Sequence, residues 1–267
     1  MQILLGFILA VLVAYLAYRA HSLDRSGAIA ATFVGTVIFG LGGWQWAILL
    51  MLFFITSSGL SRAFKKRKKN MDEKFSKGHE RDAGQVFGNG GLATLFVILH
   101  AFYPETIIGW MGFAACLAAV NADTWATELG IMDPSSPRMI TDLGKRVEKG
   151  TSGGVSLFGT TASLLGAAII ALAAVVLSPV GPLTGVHGLL IAFSGLAGSL
   201  FDSFLGATAQ AMYFCPTHQM ETEKHPIHTC GTQTVQVRGW SWLNNDWVNF
   251  ACSALAGLIV LITLRSL

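Results

Sequence analysis

The chain of 267 residues is 52% hydrophobic and only 12% charged, with a mean hydropathy of +0.56 and a formal net charge of +3. Soluble domains carry about 25% charged residues, so this composition excludes a soluble globular enzyme. Its four cysteines, two of them in apolar runs, imply no disulfide framework.

A membrane span takes about 20 mainly apolar residues. Eight candidates follow along the chain, near 3–20, 27–43, 44–60, 90–104, 106–130, 155–178, 186–211 and 247–264. The first has the apolarity of a signal-peptide core but no basic flank or small-residue cleavage site, and is read as a span. The second and fourth are short and contain glycine. The expected fold is an all-α polytopic membrane protein, one transmembrane domain over 1–267, with about eight helices. Three long connections leave the spans: a basic loop at 61–89, a loop rich in cations and glycine at 131–153, and a Cys/His loop at 212–246.

Basic residues orient these spans. With the N-terminus outside, the segments 19–26, 61–89, 131–153 and 212–246 face inward and hold all of the 18 Lys and Arg except Arg265. Both termini are therefore expected outside, with the polar loops on the cytoplasmic face of the inner (plasma) membrane. The cationic run at 65–69 reads as a topology signal that touches anionic lipid headgroups. A nucleic-acid partner is not expected from one such run beside a membrane.

Three carboxylates, Asp123, Glu128 and Asp202, fall within apolar helices. Charge in such places is costly and must pair or line a polar cavity. Gly112, Cys116, Ala119, Asp123, Ala126 and Gly130 share one helical face, and Gly195, Gly198, Asp202, Gly206 and Ala209 share another. Each aspartate rides a stripe of small residues where helix backbones approach closely. Facing stripes would bring two carboxylates together, a donor set for Mg²⁺. Asn121, Thr124 and Glu128 form a neighbouring polar face, and Asp246, with Asn245 and Asn249, offers oxygens from the last span. Asp123-Thr-Trp-Ala and Asp202-Ser203-Phe-Leu-Gly-Ala echo one another weakly. Intramembrane carboxylates on glycine-lined helices also suit an ion-coupled transporter, which is the alternative class.

The segment Lys145-Arg146-Val-Glu-Lys149-Gly-Thr151-Ser152-Gly153-Gly joins cations, hydroxyls and glycines just before the sixth span. Glycines let backbone N–H groups turn towards an anion, and a helix N-terminus favours negative charge. The order is not that of a Walker A loop. With a carboxylate-held metal on the same face, the pattern points to phosphoryl transfer. Gln85 and Asn89, with Arg81, open the fourth span and can orient phosphate or metal-bound water. In the third loop, Cys215-Pro-Thr-His218 and His228-Thr-Cys230 have spacing that suits a structural Cys2His2 zinc site; without metal they would be ordinary loop residues.

Five ordered motifs carry a resemblance: Gln85-Val-Phe-Gly-Asn-Gly-Gly, Asn121-Ala-Asp-Thr-Trp-Ala-Thr-Glu-Leu-Gly, Lys149-Gly-Thr-Ser-Gly-Gly-Val-Ser, Gly198-Ser-Leu-Phe-Asp-Ser-Phe-Leu-Gly-Ala and Asn245-Asp-Trp-Val-Asn. Together they resemble the domain-of-unknown-function 92 membrane family, which includes phytyl-phosphate kinases, over nearly the whole chain. The Asp-Thr-x-Ala and Lys-Gly-Thr elements are also similar, more loosely, to CTP-dependent dolichol and phytol kinases. The resemblance implies a membrane-embedded kinase that converts a prenyl (phytyl-like) monophosphate to its diphosphate with CTP or another nucleoside triphosphate. A CTP-dependent lipid cytidylyltransferase is the enzymatic alternative. By carry-over, Asp123, Glu128 and Asp202, with Asp246, would hold Mg²⁺ and phosphates. Lys145, Arg146 and Lys149, with Thr151, Ser152 and Gly153, would cradle the nucleotide, and the spans would supply a groove for the prenyl tail. At His218 this chain departs from the Cys-x2-Cys of its relatives.

Overall fold

The computed structural model describes residues 1–68 and 80–266. The basic run at 65–69 lies outside the residues whose side chains are described.

Eight helices alternate in direction: α1 (Gln2–Arg19), α2 (Arg25–Val37, continuing as a π-helical turn over Ile38–Gly42), α3 (Trp44–Lys68), α4 (Ala83–Phe102), α5 (Ile108–Gly130), α6 (Leu157–Val176), α7 (Gly185–Thr208) and α8 (Asn245–Ser266). Seven of them are long and apolar enough to cross a membrane. The exception to the expected eight is α5, for a clear physical reason. Residues 109–122 of α5 are all buried, and α3, α4, α6, α7 and α8 enclose it. A helix that meets no lipid can carry Asn121, Asp123, Thr124 and Glu128. At the periphery the pattern inverts, and α1 turns Leu4, Ile8, Leu12 and Leu16 outward, as a lipid-facing surface requires.

The long connections all leave one end of the bundle, here termed the loop face. Helices that start there carry side-chain caps, which fix where each begins. Asp24 accepts from Gly27 N at 2.7 Å at the start of α2, Asp82 from Gln85 N at 2.9 Å at α4, and Ser156 from Gly159 N at 3.1 Å at α6. The Asp82 cap starts α4 at Ala83 rather than near 90, so Gln85 and Asn89 ride its first turns. Likewise α3 runs on to Lys68, which narrows the expected basic loop at 61–89. At the opposite end Trp46, Trp110 and Phe113 are fully buried, with ring centroids 4.8 to 5.9 Å apart, and the Trp110 indole donates to Ala174 O at 2.9 Å. That end is plugged by aromatic packing.

Close helix packing aligns α5 with α7. A Cβ on Gly195 would stand 2.8 Å from that of Ala118, and one on Gly198 2.7 Å from that of Ala119. Both numbers rise together, so the two helices run in the same direction.

The all-α expectation holds for the bundle, but the second and third connections are folded rather than open loops. Strands β1 (Arg138–Met139), β2 (Asp142–Arg146) and β3 (Gly154–Val155) form a sheet of order β2-β1-β3. Strands β4 (Met212–Cys215), β5 (Met220–Thr222) and β6 (Val235–Arg238) form another of order β5-β4-β6. All pairings given for them are antiparallel. Strands this short leave no alternating pattern to read.

Candidate functional site

A cavity of about 1230 Å³ opens at the loop face, walled by the near ends of α3 to α8 and by both sheets. Its depth follows from α5 and α7. One helical turn beyond the Ala119–Gly198 contact, each helix presents an aspartate, and Asp123 and Asp202 both line the cavity. Their charges are close enough to interact. Cys252 of α8 donates its S–H to Asp202 Oδ2 at 3.5 Å. Thr124 and Ser203, each beside its aspartate, line the same space.

Glu128 also lines the cavity, but it faces a different partner. Five residues on an α-helix turn by about 500°, so Glu128 stands roughly 140° around α5 from Asp123. There it is buried and accepts from Ser61 Oγ of α3 at 2.7 Å. Its charge also reaches Arg81. The Arg81 guanidinium donates to Ser57 Oγ at 3.0 Å and Ser58 Oγ at 3.4 Å, and lies 5.6 and 5.8 Å from the ring centroids of Phe53 and Phe54. Burial draws its pKa down to about 10, while Glu128 acts in the opposite sense. It therefore stays charged at neutral pH. The main chain holds it in place: Arg81 N donates to Ser22 O and Arg81 O accepts from Asp24 N, both at 3.0 Å. Gln85 and Asn89 follow one and two turns along α4, and both line the cavity.

The phosphate-binding candidate loop forms a second wall. Lys145, Arg146, Lys149, Thr151, Ser152 and Gly153 all line the cavity. Gly153 has φ +86°, a conformation that favours glycine, and a Cβ there would stand 2.5 Å from that of Ala207, so the loop is docked on the end of α7. Ser152 Oγ donates to Gln210 Oε1 at 3.2 Å, and Gln210 Nε2 to Glu223 Oε1 at 2.8 Å. Lys149 points its ammonium at the end of α5, donating to Ile131 O at 3.1 Å and to Asp133 O. Arg238 makes the matching contact on α7, donating to Ala207 O. Cations at helix C-termini satisfy the last carbonyls and complement the dipole. Lys149 thus braces the wall, and the exposed Lys145 and Arg146 of β2 are the cations turned outward. Beside them Asp133 accepts from Ser135 Oγ at 2.7 Å and Ser135 N at 2.9 Å. Those bonds, with the Ser156 hydroxyl and the Phe158 N–H, hold its carboxyl below the usual carboxylate range.

Two candidates fall elsewhere. Asn121 is fully buried and stays outside the cavity lining; its Nδ2 donates to Gly166 O at 2.7 Å and its Oδ1 accepts from Thr56 Oγ1 at 3.0 Å. Two residues before Asp123, it points to the far side of α5 and ties α3 to α6. Asp246 also lies outside the lining. Its neighbours Asn245 and Asn249 share the cavity-facing side of α8, whereas the Asp246 main chain abuts α4 at Gly88. Ser61, Gln210, Glu223 and Arg238 join the site with no sequence motif to announce them.

A second, almost wholly apolar cavity of about 280 Å³ lies among α1 to α4. Ala14, Ala31, Val34, Leu50 and Phe54 are among its walls, and one end is formed by Arg81, Gln85 and Asn89. Those three residues therefore border both cavities. Gln85 Oε1 is buried without a hydrogen-bond partner among the described residues.

The chain is 31% identical to Protein PGR of Arabidopsis thaliana over 97% of its length and 94% of that protein's. It is 34% identical to an uncharacterized membrane protein of Methanocaldococcus jannaschii, over 77% of this chain and 82% of the other. Similarity to Protein VTE6, chloroplastic, of Arabidopsis thaliana is 21% over 90% of this chain and 65% of that protein. No solved structure matches. A family model described as integral membrane protein DUF92 matches residues 8–257, and with nearly the full bundle so covered the chain belongs to that family.

Proposed function

We propose that this protein is a membrane-embedded kinase that transfers a phosphoryl group from a nucleoside triphosphate, such as CTP, to a prenyl monophosphate at the cytoplasmic face. The observation that carries the reading is the junction of the two cavities at Arg81, Gln85 and Asn89. A polar chamber adjoining an apolar one, with a half-buried cation and two amides shared between their walls, suits an amphiphile with a phosphate head and a hydrocarbon tail. The family resemblance drawn from the five motifs points the same way.

In this reading the tail lies among α1 to α4 and the monophosphate head meets Arg81, whose charge balances it. Lys145 and Arg146 draw the triphosphate towards the cavity, and the Gly150–Gly153 turn places backbone N–H groups beside it. Asp123 and Asp202 fit Mg²⁺ by their chemistry: two interacting carboxylates, both walling one polar cavity, need a cation between them. These two carboxylates would hold Mg²⁺, which would supply positive charge to balance the transferred phosphoryl. Glu128 fixes Arg81 from the opposite side of α5. The acceptor is already an anion at neutral pH, so no side chain has to remove a proton. An ion-coupled transporter would need its polar groups near mid-bilayer, whereas this cavity is built from helix ends.

The test uses purified protein in mild detergent with Mg²⁺, a panel of nucleoside triphosphates and prenyl monophosphates of several chain lengths. Formation of prenyl diphosphate with release of nucleoside diphosphate is expected. Release of inorganic diphosphate would identify a cytidylyltransferase, and the absence of turnover with every pair would overturn the reading.

A further inference from the structure

The β4–β5–β6 lobe holds a cluster that the phosphoryl-transfer reading does not use. Cys215 closes β4, and His218 sits in the turn to β5, where Cys215 pairs with Met220. His228 and Cys230 come from a second tight turn, closed by the Ile227–Gln233 bridge and by His228 N donating to Thr232 O at 2.9 Å. The two turns meet tip to tip, and the four ligand atoms all lie within 4.8 Å of one another. Among the described residues it is the one such group of three or more found.

The separations have the dimensions of a zinc tetrahedron. With Zn–S of about 2.3 Å and Zn–N of about 2.0–2.1 Å, tetrahedral angles put two sulfurs about 3.8 Å apart and a sulfur and nitrogen about 3.5 Å apart. Here Cys215 Sγ lies 3.7 Å from Cys230 Sγ, His218 Nδ1 3.7 Å from Cys215 Sγ, and His228 Nδ1 3.3 Å from Cys230 Sγ. Van der Waals packing alone has no reason to hold two thiols and two imidazoles at these edges. The burial is uneven, with Cys215 and His228 buried and His218 and Cys230 exposed, so an ion can enter from the solvent side. An outer partner is also present: the Thr232 hydroxyl lies 3.3 Å from Cys230 Sγ and 2.7 Å from the Thr217 hydroxyl, where it can donate to a thiolate.

We propose that Cys215, His218, His228 and Cys230 hold one structural zinc ion that staples the two turns together and so fixes the sheet forming one wall of the cavity. Binding deprotonates both thiols and releases two protons, and two thiolates with two neutral imidazoles leave the site electrically neutral. The lobe needs such a link. Its strands have three or four residues each, and while β4 buries Met212, Tyr213 and Cys215, β6 is largely exposed and the two turns that carry the ligands have no apolar core of their own. The lobe reaches the cavity through His218, Gln219, Met220 and Glu221, which all line it. The zinc thus acts as a positioning element rather than a catalytic one.

The test is elemental analysis of the full chain, purified in detergent with reductant and without added metal. Roughly one zinc per chain is expected, falling to near zero in Cys215→Ser and Cys230→Ser and unchanged in Cys116→Ser, whose thiol is buried in the bundle. Exchange into Co²⁺ should give thiolate-to-metal charge-transfer absorption, lost in the same two variants. Should those variants fail to fold, zinc released from the wild-type chain by a thiol-modifying reagent, read with a colorimetric chelator, provides the same measurement. Chelation should also speed proteolysis within 212–246 while leaving the helices intact. Metal-free protein without a cobalt–thiolate signal, or full zinc content in Cys230→Ser, would overturn the site. Unchanged proteolysis after zinc removal would overturn the staple. None of these readouts involves a prenyl phosphate or nucleotide, so they fail or succeed separately from the kinase reading.

Discussion

Gly198 of α7 lies directly against Ala119 of α5, with room for no side chain: a Cβ on the glycine would stand 2.7 Å from the alanine Cβ and 2.9 Å from Cys252 O. The contact sets the spacing of the aspartates one turn further on. Gly198→Leu should force α5 and α7 apart, at a cost of about 1–3 kcal/mol or more. The expected result is a lower melting temperature in detergent together with loss of turnover, and an unchanged melting curve would contradict the close packing.

Asp123→Asn and Asp202→Asn keep the shape of each side chain and remove its charge. Each should lower phosphoryl transfer by about 10²–10³-fold or more, with the melting temperature retained or raised because the repulsion between two neighbouring carboxylates is removed. Steady-state kinetics over a Mg²⁺ titration checks this. Normal activity in either variant removes that residue from the metal site.

Asn121 and Lys145 separate packing from binding. Asn121→Ala removes the bonds to Gly166 O and Thr56 Oγ1 that tie α6 and α3 to α5 and should cost about 1–3 kcal/mol of stability for the two, with nucleotide KM little altered in the protein that folds. Lys145→Ala, on the exposed β2, should do the reverse and raise nucleotide KM by about tenfold while the melting temperature holds. Thermal melts and nucleotide titrations on the pair give the answer.

Ala31 lines the apolar chamber and can be filled without touching the polar cavity. Ala31→Phe should weaken long-chain prenyl monophosphates by about tenfold or more, as one or two displaced buried groups are worth, while short-chain acceptors are spared. Equal loss for every chain length would place the tail elsewhere.

Asp133 supplies a pH dependence with a defined sign. Its folded-state pKa is depressed, so its contribution to stability is fully present above the ordinary carboxylate value near 3.8 and is lost as pH falls through the lower folded value. Wild type should therefore melt higher than Asp133→Asn at pH 7, and the gap should close below about pH 4. A gap that persists in acid would mean the hydrogen bonds to Ser135 do not depend on the charge.

Much of the bundle was legible because a membrane reduces folding to simple requirements. Backbone groups must be satisfied within each helix, so spans announce themselves as apolar runs, and the stripes around Asp123 and Asp202 follow from helical repeat alone. The 131–153 loop was readable as chemistry through its cations and glycines. Other roles were not local. Asn121 stands two residues from Asp123, Asp246 one residue from Asn245, and only the packing of neighbouring helices determines that the first of each pair leaves the cavity while the second lines it. The apolarity of α5 understates its depth, because a helix enclosed by other helices can be built of small residues and carry polar groups that lipid would not accept. Composition and periodicity settled which segments form the helices of the bundle and which residue types could do chemistry. Tertiary structure alone decided that the charge of Glu128 reaches Arg81, that Lys149 turns to cap a helix, and that two turns bring the thiols of Cys215 and Cys230 within 3.7 Å, because those depend on the angular position of each side chain around its helix and on contacts between segments apart in the chain.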